Sequence, residues 1–143
     1  MQDGRTAIAT LIFTYAECID TGDLDRLGRL FERAVFRSDR GGRYDGSTAV
    51  REVMGRLVIL HADGTPRTKH VTTNLVVDVD EAAGTATARS YFTVFQATAS
   101  VPLQPIVAGR YHDRFVRDDG GWRFADRLVF MDLVGNLSDH LRT

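Results

Sequence analysis

The residue best suited to acid–base chemistry is His70, which lies near the start of an alternating polar and apolar segment, TKHVTTNLVVDVD. A neutral imidazole suits proton removal because its ordinary pKa of about 6.5 is close to physiological pH. The alternation indicates a β-strand. It places His70, Thr72, Asn74 and Val76 on one face and Val71, Thr73, Leu75 and Val77 on the other. On this pattern alone, His70 is a surface residue, a buried residue with hydrogen-bonded nitrogens, or a working base.

Motifs for metals and nucleotides are missing from the sequence. The four histidines are scattered, and no HxH, HExxH or CxxC spacing occurs, so we expect no metal. RGGR and DDGG are turns, since neither joins a strand to a helix with the spacing of a phosphate-binding loop. The single cysteine, Cys18, is predicted to be a small core residue. The expected chemistry therefore uses no cofactor.

Three helices are predicted in the first part of the chain. Apolar residues at three- and four-residue spacing indicate a helix over 6–20 that ends at Gly22. A short helix, LDRLGRLF, follows with Asp23 as its N-cap, and a third, TAVREVMGRLVIL, has Ser47 as its expected N-cap. Between these two helices, AVFRSD is typical of a short strand.

The second part of the chain has a period of two. Strands are predicted at about 68–79, 85–97, 105–117 and 122–134, joined by good hairpin segments. We therefore expect a single α+β domain over 1–143, with a cone-shaped, curved antiparallel sheet packed against the three N-terminal helices. Such a sheet encloses a pocket for a small ligand.

Several segments together resemble a known family. YAECIDTGDLDRLGRLF, YDGSTAVREVM, TKHVTTNLVVDVD and AGRYHDRFVRDDGGWRFADRLV are similar to segments of the SnoaL-like proteins of the nuclear transport factor 2-like superfamily. The similarity is greatest to the group with scytalone dehydratase, hexachlorocyclohexane dehydrochlorinase and bile-acid 7α-dehydratase. It covers nearly the whole chain and keeps the order of the motifs.

The resemblance implies a catalytic pair and two accessory residues. Asp20 matches the aspartate at the end of the first helix, and His70 matches the histidine at the start of the long sheet. Tyr15 matches a tyrosine of the bile-acid enzyme, and Arg127 matches an arginine of the dehydrochlorinase, whose lysine falls where this chain has Tyr15. The second histidine of scytalone dehydratase and the additional acid of the bile-acid enzyme have no match in TARSYFTVFQ.

The implied function is that of a cofactor-independent lyase or isomerase acting on an apolar, ring-containing small molecule such as a polyketide, steroid or terpenoid. The alternative is a non-catalytic ligand-binding or assembly module on the same fold. Asp20 could instead cap a turn or bridge structurally to Arg127. An epoxide hydrolase would need an Asp–Arg–Asp group, for which Asp126, Arg127 and Asp132 supply the residue types, although alternation puts both acids opposite Arg127.

Charge and composition restrict the partners. The net charge of −1 without a basic block argues against nucleic acid, and no apolar run approaches the ~20 residues of a membrane span. With no secretory signal and one cysteine, we expect a cytoplasmic protein.

The alternation in TARSYFTVFQ is compatible with a homodimer through the exposed sheet face. His61, His112 and His140 are predicted at the surface, and the tail VGNLSDHLRT either closes the pocket or frays.

Overall fold

Three helices pack on one curved sheet in the computed structural model, which describes residues 2–142. The helices are α1 (Gly4–Asp20), α2 (Leu24–Leu30) and α3 (Gly46–Leu57). The predicted helical part of the chain is therefore confirmed, with α1 beginning two residues earlier than the apolar spacing indicates. None of the helices within 2–142 is long and apolar enough to cross a membrane.

The ends of the helices follow from local residue chemistry. Gly22 has the left-handed conformation expected at the end of α1, with φ of 75°. Asp23 caps α2 by accepting a hydrogen bond from the backbone N–H of Arg26 at 3.1 Å. The prediction of Ser47 as the N-cap of α3 is wrong. The N-cap is Asp45, two residues earlier, and Gly46, with φ of 89°, is the first residue of the helix.

The sheet has six strands in the order β2-β1-β6-β5-β4-β3. The four predicted long strands agree with the observed ones to within one residue at each end. The strands are β1 (Val35–Ser38), β2 (Arg43–Asp45), β3 (Thr68–Asp80), β4 (Thr85–Gln96), β5 (Gln104–Asp118) and β6 (Gly121–Val134).

One strand pair corrects the expectation of a purely antiparallel sheet. β1 lies parallel to β6, with Phe36 opposite Arg127, and β2 pairs antiparallel to β1 at the sheet edge. A parallel neighbour needs a long connection, which α3 and the strands β3 to β5 provide here. The sheet is thus mixed and open, and α1 covers its inner face.

A β-bulge in β3 changes which residues face the helices. The register with β4 shifts between Thr73 and Val76, and Asn74 takes a left-handed conformation with φ of 52°. Before the bulge, Thr68, His70 and Thr72 face the interior. After the bulge, Val77 faces the interior. The predicted alternation is therefore wrong beyond Thr73, because one extra residue moves all later side chains to the other face. As a result, His70 shares the inner face with the buried Val77, whereas Val71 and Val76 are exposed on the outer face.

The core lies between α1 and the inner face of the sheet. Ile8, Ile12, Tyr15 and Cys18 form the buried stripe of α1, each no more than 4 % exposed. The prediction of Cys18 as a core residue is confirmed, and burial raises the pKa of its thiol. The end of α1, where Asp20 lies, is thereby fixed against the start of β3.

Candidate functional site

Asp20 and His70 are in direct contact where α1 meets the start of β3. The Oδ1 atom of Asp20 lies 2.6 Å from Nδ1 of His70. The Oδ2 atom of Asp20 accepts the backbone N–H of His70 at 2.8 Å, and Oδ1 also accepts the hydroxyl of Thr68 at 2.8 Å. The carboxylate is thus held by three donors from one strand. This geometry agrees with the pairing that the family resemblance implies.

The contact is shielded from water, and the ionised Asp20 defines which nitrogen of His70 carries the proton. The side chains of His70 and Asp20 are 7 % and 11 % exposed. Burial acts to raise the pKa of the Asp20 carboxyl, but the hydrogen bonds and charge interaction with His70 outweigh it and hold that pKa below its usual value. An ionised Asp20 keeps the proton of a neutral imidazole on Nδ1. The lone pair of Nε2, for which residues 2–142 provide no hydrogen bond, is then available as a base.

Arg127 is paired with Asp113 and not with Asp20, so a structural bridge between Arg127 and Asp20 is ruled out in this structure. Its Nε and Nη2 atoms lie 2.8 and 2.9 Å from the two carboxylate oxygens of Asp113, and both side chains are fully buried. The guanidinium lies between two aromatic rings, 3.7 Å from the ring centre of Tyr111 and 4.3 Å from that of Tyr15. The third nitrogen, Nη1, is buried without a hydrogen-bond partner among the described residues.

Burial is the largest single influence on the pKa of each partner of this second pair, and it decides the direction for Asp113 but not for Arg127. It raises the pKa of Asp113, and the nearby Arg127 opposes the shift. Burial alone would lower the pKa of Arg127, but the charge and hydrogen bonds of Asp113 raise it, so the guanidinium stays charged. Burial also raises the pKa of Tyr15 to about 12, again against the effect of Arg127. Tyr15 therefore keeps its proton and can act as a hydrogen-bond donor.

Comparison with known proteins places this arrangement in a family. Residues 3–128 match the SnoaL-like domain. The chain belongs to the SnoaL-like domain family. No curated protein matches the sequence.

Solved structures with the same fold support the assignment. A variant of Rv3472, a protein of unknown function from Mycobacterium tuberculosis, is 31% identical, with 92% of this chain and 77% of that chain covered and a TM-score of 0.73. An NTF2-like protein with a cystatin-like fold from Novosphingobium aromaticivorans is 24% identical, with 90% and 81% covered and a TM-score of 0.74. A candidate scytalone dehydratase from the same organism is 23% identical, with 90% and 84% covered and a TM-score of 0.70.

Asp113 is a residue of this SnoaL-like domain that the sequence reasoning missed. It lies directly opposite Arg127 in the β5–β6 register. The sequence contains a signal for this residue. In RYHDRF, residues 110–115, strand alternation places Asp113 on the same face as Tyr111 and Phe115. That face is buried, whereas His112 on the opposite face is exposed as predicted.

His140 was predicted at the surface, and the structure contradicts this. The residue is only 5 % exposed, and its ring centre lies 6.0 Å from that of His70 at an interplanar angle of 66°. Burial lowers the pKa of His140 to about 4, with a smaller contribution from His70. The C-terminal segment thus folds over the candidate site and does not fray.

The Asp–Arg–Asp group of an epoxide hydrolase is not formed. Asp126 binds Arg37 at 3.0 Å, and Asp132 binds Arg110 at 2.8 Å. Arg127 contacts neither acid through an ion pair, since its partner is Asp113. The alternation of β6 that separates these acids from Arg127 is the physical reason.

An open depression of about 400 Å³ borders the first pair. Its lining includes Asp20, Thr68 and Gln96, together with the exposed Leu103. Gln96 lies opposite Thr68 in the β3–β4 register. A small molecule in this depression would therefore lie beside the residues that hold the Asp20 carboxylate.

Proposed function

We propose that this protein is a cofactor-independent lyase or isomerase that removes a proton from an apolar, ring-containing small molecule, such as a polyketide, steroid or terpenoid. The observation that carries the proposal is the 2.6 Å contact between Asp20 and Nδ1 of His70, which leaves Nε2 without a hydrogen bond to any of the described residues. Similarity to a structure named as a candidate scytalone dehydratase supports an elimination reaction.

In this scheme, Nε2 of His70 takes a proton from a carbon next to a carbonyl group. The electron pair of the broken C–H bond moves into an enolate, and the carboxylate of Asp20 stabilises the imidazolium that forms. In an elimination, the enolate expels a neighbouring hydroxyl group, which receives the proton from His70 and leaves as water. In an isomerisation, the same proton returns to a different carbon. General-base help of this kind contributes about 10² to 10⁴-fold in rate.

Tyr15 and Arg127 would stabilise the enolate oxygen. The protonated hydroxyl of Tyr15 can donate a hydrogen bond, and Nη1 of Arg127 is a buried donor without a partner. Because Asp113 compensates the charge of Arg127, the guanidinium acts as a fixed donor more than as a net positive charge. Donors fixed in a dry interior stabilise developing charge more strongly than donors in water.

Exchange of carbon-bound hydrogen tests the proposal without knowledge of the natural substrate. β-Tetralone, a bicyclic ketone with acidic hydrogens next to its carbonyl group, would be incubated with the protein in deuterated buffer and followed by proton NMR. We expect the protein to accelerate exchange, and His70→Ala to reduce the acceleration by about 10² to 10⁴-fold. His112→Ala, which alters an exposed histidine on the outer face of the sheet, is the matched control.

Exchange that persists at the wild-type rate in His70→Ala, with the fold intact by circular dichroism, would contradict the proposal. A non-catalytic small-molecule-binding or assembly module would then be the better description of this chain.

We further propose that the protein is a homodimer through the outer face of the sheet. Several apolar side chains on this face are more exposed than is usual for their type, namely Val71 at 40 %, Tyr91 at 54 % and Leu133 at 71 %. A second copy of the same face would cover them.

A further inference from the structure

Two buried polar groups near the His70–Asp20 pair have no hydrogen-bond partner among residues 2–142. They are Oε1 of Gln96 and Nδ1 of His140. The two residues are 1 % and 5 % exposed, so water does not replace the missing partners from the bulk. Buried polar atoms are nearly always hydrogen-bonded, and an unpaired one is unfavourable, so each exception calls for a ligand or an ordered water.

The orientation of the Gln96 amide is fixed by its neighbours. Its Nε2 atom donates to the carbonyl oxygen of Pro66 at 3.0 Å and to that of Asp139 at 3.1 Å. Since both partners are carbonyl oxygens, only the amino group can face them. Oε1 must therefore point elsewhere, as an acceptor without a donor.

His140 lies in the C-terminal segment, residues 135–142, which is held at two places by the rest of the fold. Its carbonyl oxygen accepts the N–H of Ile59 at 2.8 Å, which attaches the segment to the end of α3. The preceding residue, Asp139, accepts Gln96 through its carbonyl and binds the hydroxyl of Thr98 at 2.6 Å through its carboxylate. These contacts attach the segment to the end of β4 and hold the His140 ring beside His70.

The same contacts bring the two unpaired groups to one end of the site. Gln96 lies opposite Thr68, whose hydroxyl binds Asp20, and His140 lies with its ring 6.0 Å from that of His70. A carboxamide oxygen only accepts, and a neutral imidazole can donate through one nitrogen. A hydroxyl group both donates and accepts, and is therefore the group that would satisfy both.

We propose that Gln96 Oε1 and a ring nitrogen of His140 form a hydroxyl-binding subsite beside the His70–Asp20 pair. The ligand hydroxyl donates to Gln96 and accepts from His140. The inference deepens the proposed function and rests on it for the role of His70. It specifies the substrate class as hydroxylated ring compounds, whose hydroxyl group lies next to the carbon that His70 deprotonates. The C-terminal segment is then part of the binding site.

The lowered pKa of His140 supports this role. Burial and the nearby His70 keep its ring neutral, with one nitrogen carrying a proton and the other free. The depression of about 400 Å³ is lined by Gln96 together with Asp20 and Thr68, so it borders the Gln96 side of the subsite.

The test compares two probes of similar size, β-naphthol and β-methylnaphthalene, which differ in carrying a hydroxyl or a methyl group. Their dissociation constants would be measured by equilibrium dialysis with the full chain, with His140→Leu and with His140→Gln. We expect His140→Leu to weaken β-naphthol binding by about tenfold and to leave β-methylnaphthalene unchanged, because one hydrogen bond is lost. His140→Gln keeps a polar group of similar reach and should retain most of the preference.

Three results would overturn the subsite. They are undiminished β-naphthol affinity in His140→Leu, equal weakening of both probes, and failure of the wild-type protein to bind β-naphthol. Unchanged circular dichroism and melting temperature exclude misfolding of His140→Leu. If it unfolds, the two amide variants decide the matter. The subsite requires the hydroxyl preference to be retained in folded His140→Gln and reduced in folded His140→Asn, whose amide is one methylene shorter. Loss of the preference in His140→Gln, or an equal preference in both variants, counts against the subsite.

Binding and proton exchange separate this inference from the lyase proposal. If His70→Ala still exchanges β-tetralone while His140→Leu loses β-naphthol, the subsite stands and the proposed catalysis fails. If His70→Ala abolishes exchange while His140→Leu binds β-naphthol normally, the catalysis stands and the subsite fails.

Discussion

Replacing Asp113 with asparagine should destabilise the protein far more than replacing its partner Arg127 with methionine. The two side chains are fully buried and joined by hydrogen bonds of 2.8 and 2.9 Å. Asp113→Asn leaves a buried guanidinium without a counter-charge, and arginine cannot lose its proton. Arg127→Met leaves a carboxyl group that can become neutral by binding a proton.

The size of the difference follows from the cost of breaking a buried ion pair. Removing one partner costs about 3–5 kcal/mol when the remaining charge cannot be neutralised. For a chain of this length, that lowers the melting temperature by about 10 to 17 °C. Replacing both residues, as in Arg127→Met with Asp113→Leu, should restore much of the stability because no charge remains buried.

The pH dependence of Arg127→Met has a defined sign. Burial already raises the pKa of Asp113 in the intact protein, and loss of the guanidinium removes the group that opposes this rise. A folded-state pKa above the unfolded value means that the folded state binds the proton more tightly. The variant should therefore be most stable below the unfolded pKa, and should lose stability as the pH rises through the folded pKa.

Thermal and urea unfolding of the two single variants and the double variant, at acidic and alkaline pH, measure these effects. Asp132→Asn, which breaks the half-exposed pair with Arg110 on the outer face, is the matched control and should change little. If Asp113→Asn lowers the free energy of unfolding by less than about 1 kcal/mol, the reasoning is refuted, because breaking a buried ion pair costs several kcal/mol.

Three further predictions concern the dyad, the sheet and the dimer. Asp20→Asn should slow β-tetralone exchange by about 10²-fold or more. Because the pKa of Asp20 is lowered in the folded state, its stabilising effect is lost as the pH falls through that pKa, so urea unfolding of this variant should depend less on pH below about 5. Gly109→Ala places a methyl group on a backbone carbonyl of the neighbouring strand and should lower the melting temperature strongly, whereas Gly120→Ala, with its nearest atom at 3.5 Å, should not. Tyr91→Glu should halve the mass measured by light scattering if the outer sheet face forms the dimer, and an unchanged mass would count against it.

The sequence predicts the helices and strands from local patterns, whereas the pairing of Asp20 with His70 is what the resemblance to the SnoaL-like proteins implies. Asp20 ends α1, and His70 lies at the start of β3 before any irregularity in the strand occurs. Asn74 then breaks the alternation. Asparagine tolerates the left-handed conformation of a bulge, but a polar residue in a strand does not by itself reveal one. For that reason alternation predicts Val77 on the face opposite His70, whereas in the structure both residues face the interior.

The contacts that were missed depend on which strands and segments are neighbours. Asp113 does not stand out in the sequence because the charged residues around His112 indicate a solvated face, although the opposite face of the same strand is buried. His140 lies in a tail without periodic pattern, so its burial depends on contacts with the ends of α3 and β4. No property of the tail sequence alone encodes these contacts. The parallel pairing of β1 with β6 was missed for the same reason.

The two buried pairs differ in charge, and this difference suggests how the interior directs a reaction. Arg127 and Asp113 together are neutral, whereas Asp20 with a neutral His70 carries one negative charge. When His70 takes a proton, its pair with Asp20 becomes neutral and the negative charge appears on the substrate. A substrate oxygen near Tyr15 and Arg127 would carry that charge beside two buried hydrogen-bond donors. The interior thus carries the same net charge before and after proton transfer. Two new charges form, and a low-dielectric core disfavours them unless Asp20 stabilises the imidazolium and fixed donors stabilise the enolate oxygen.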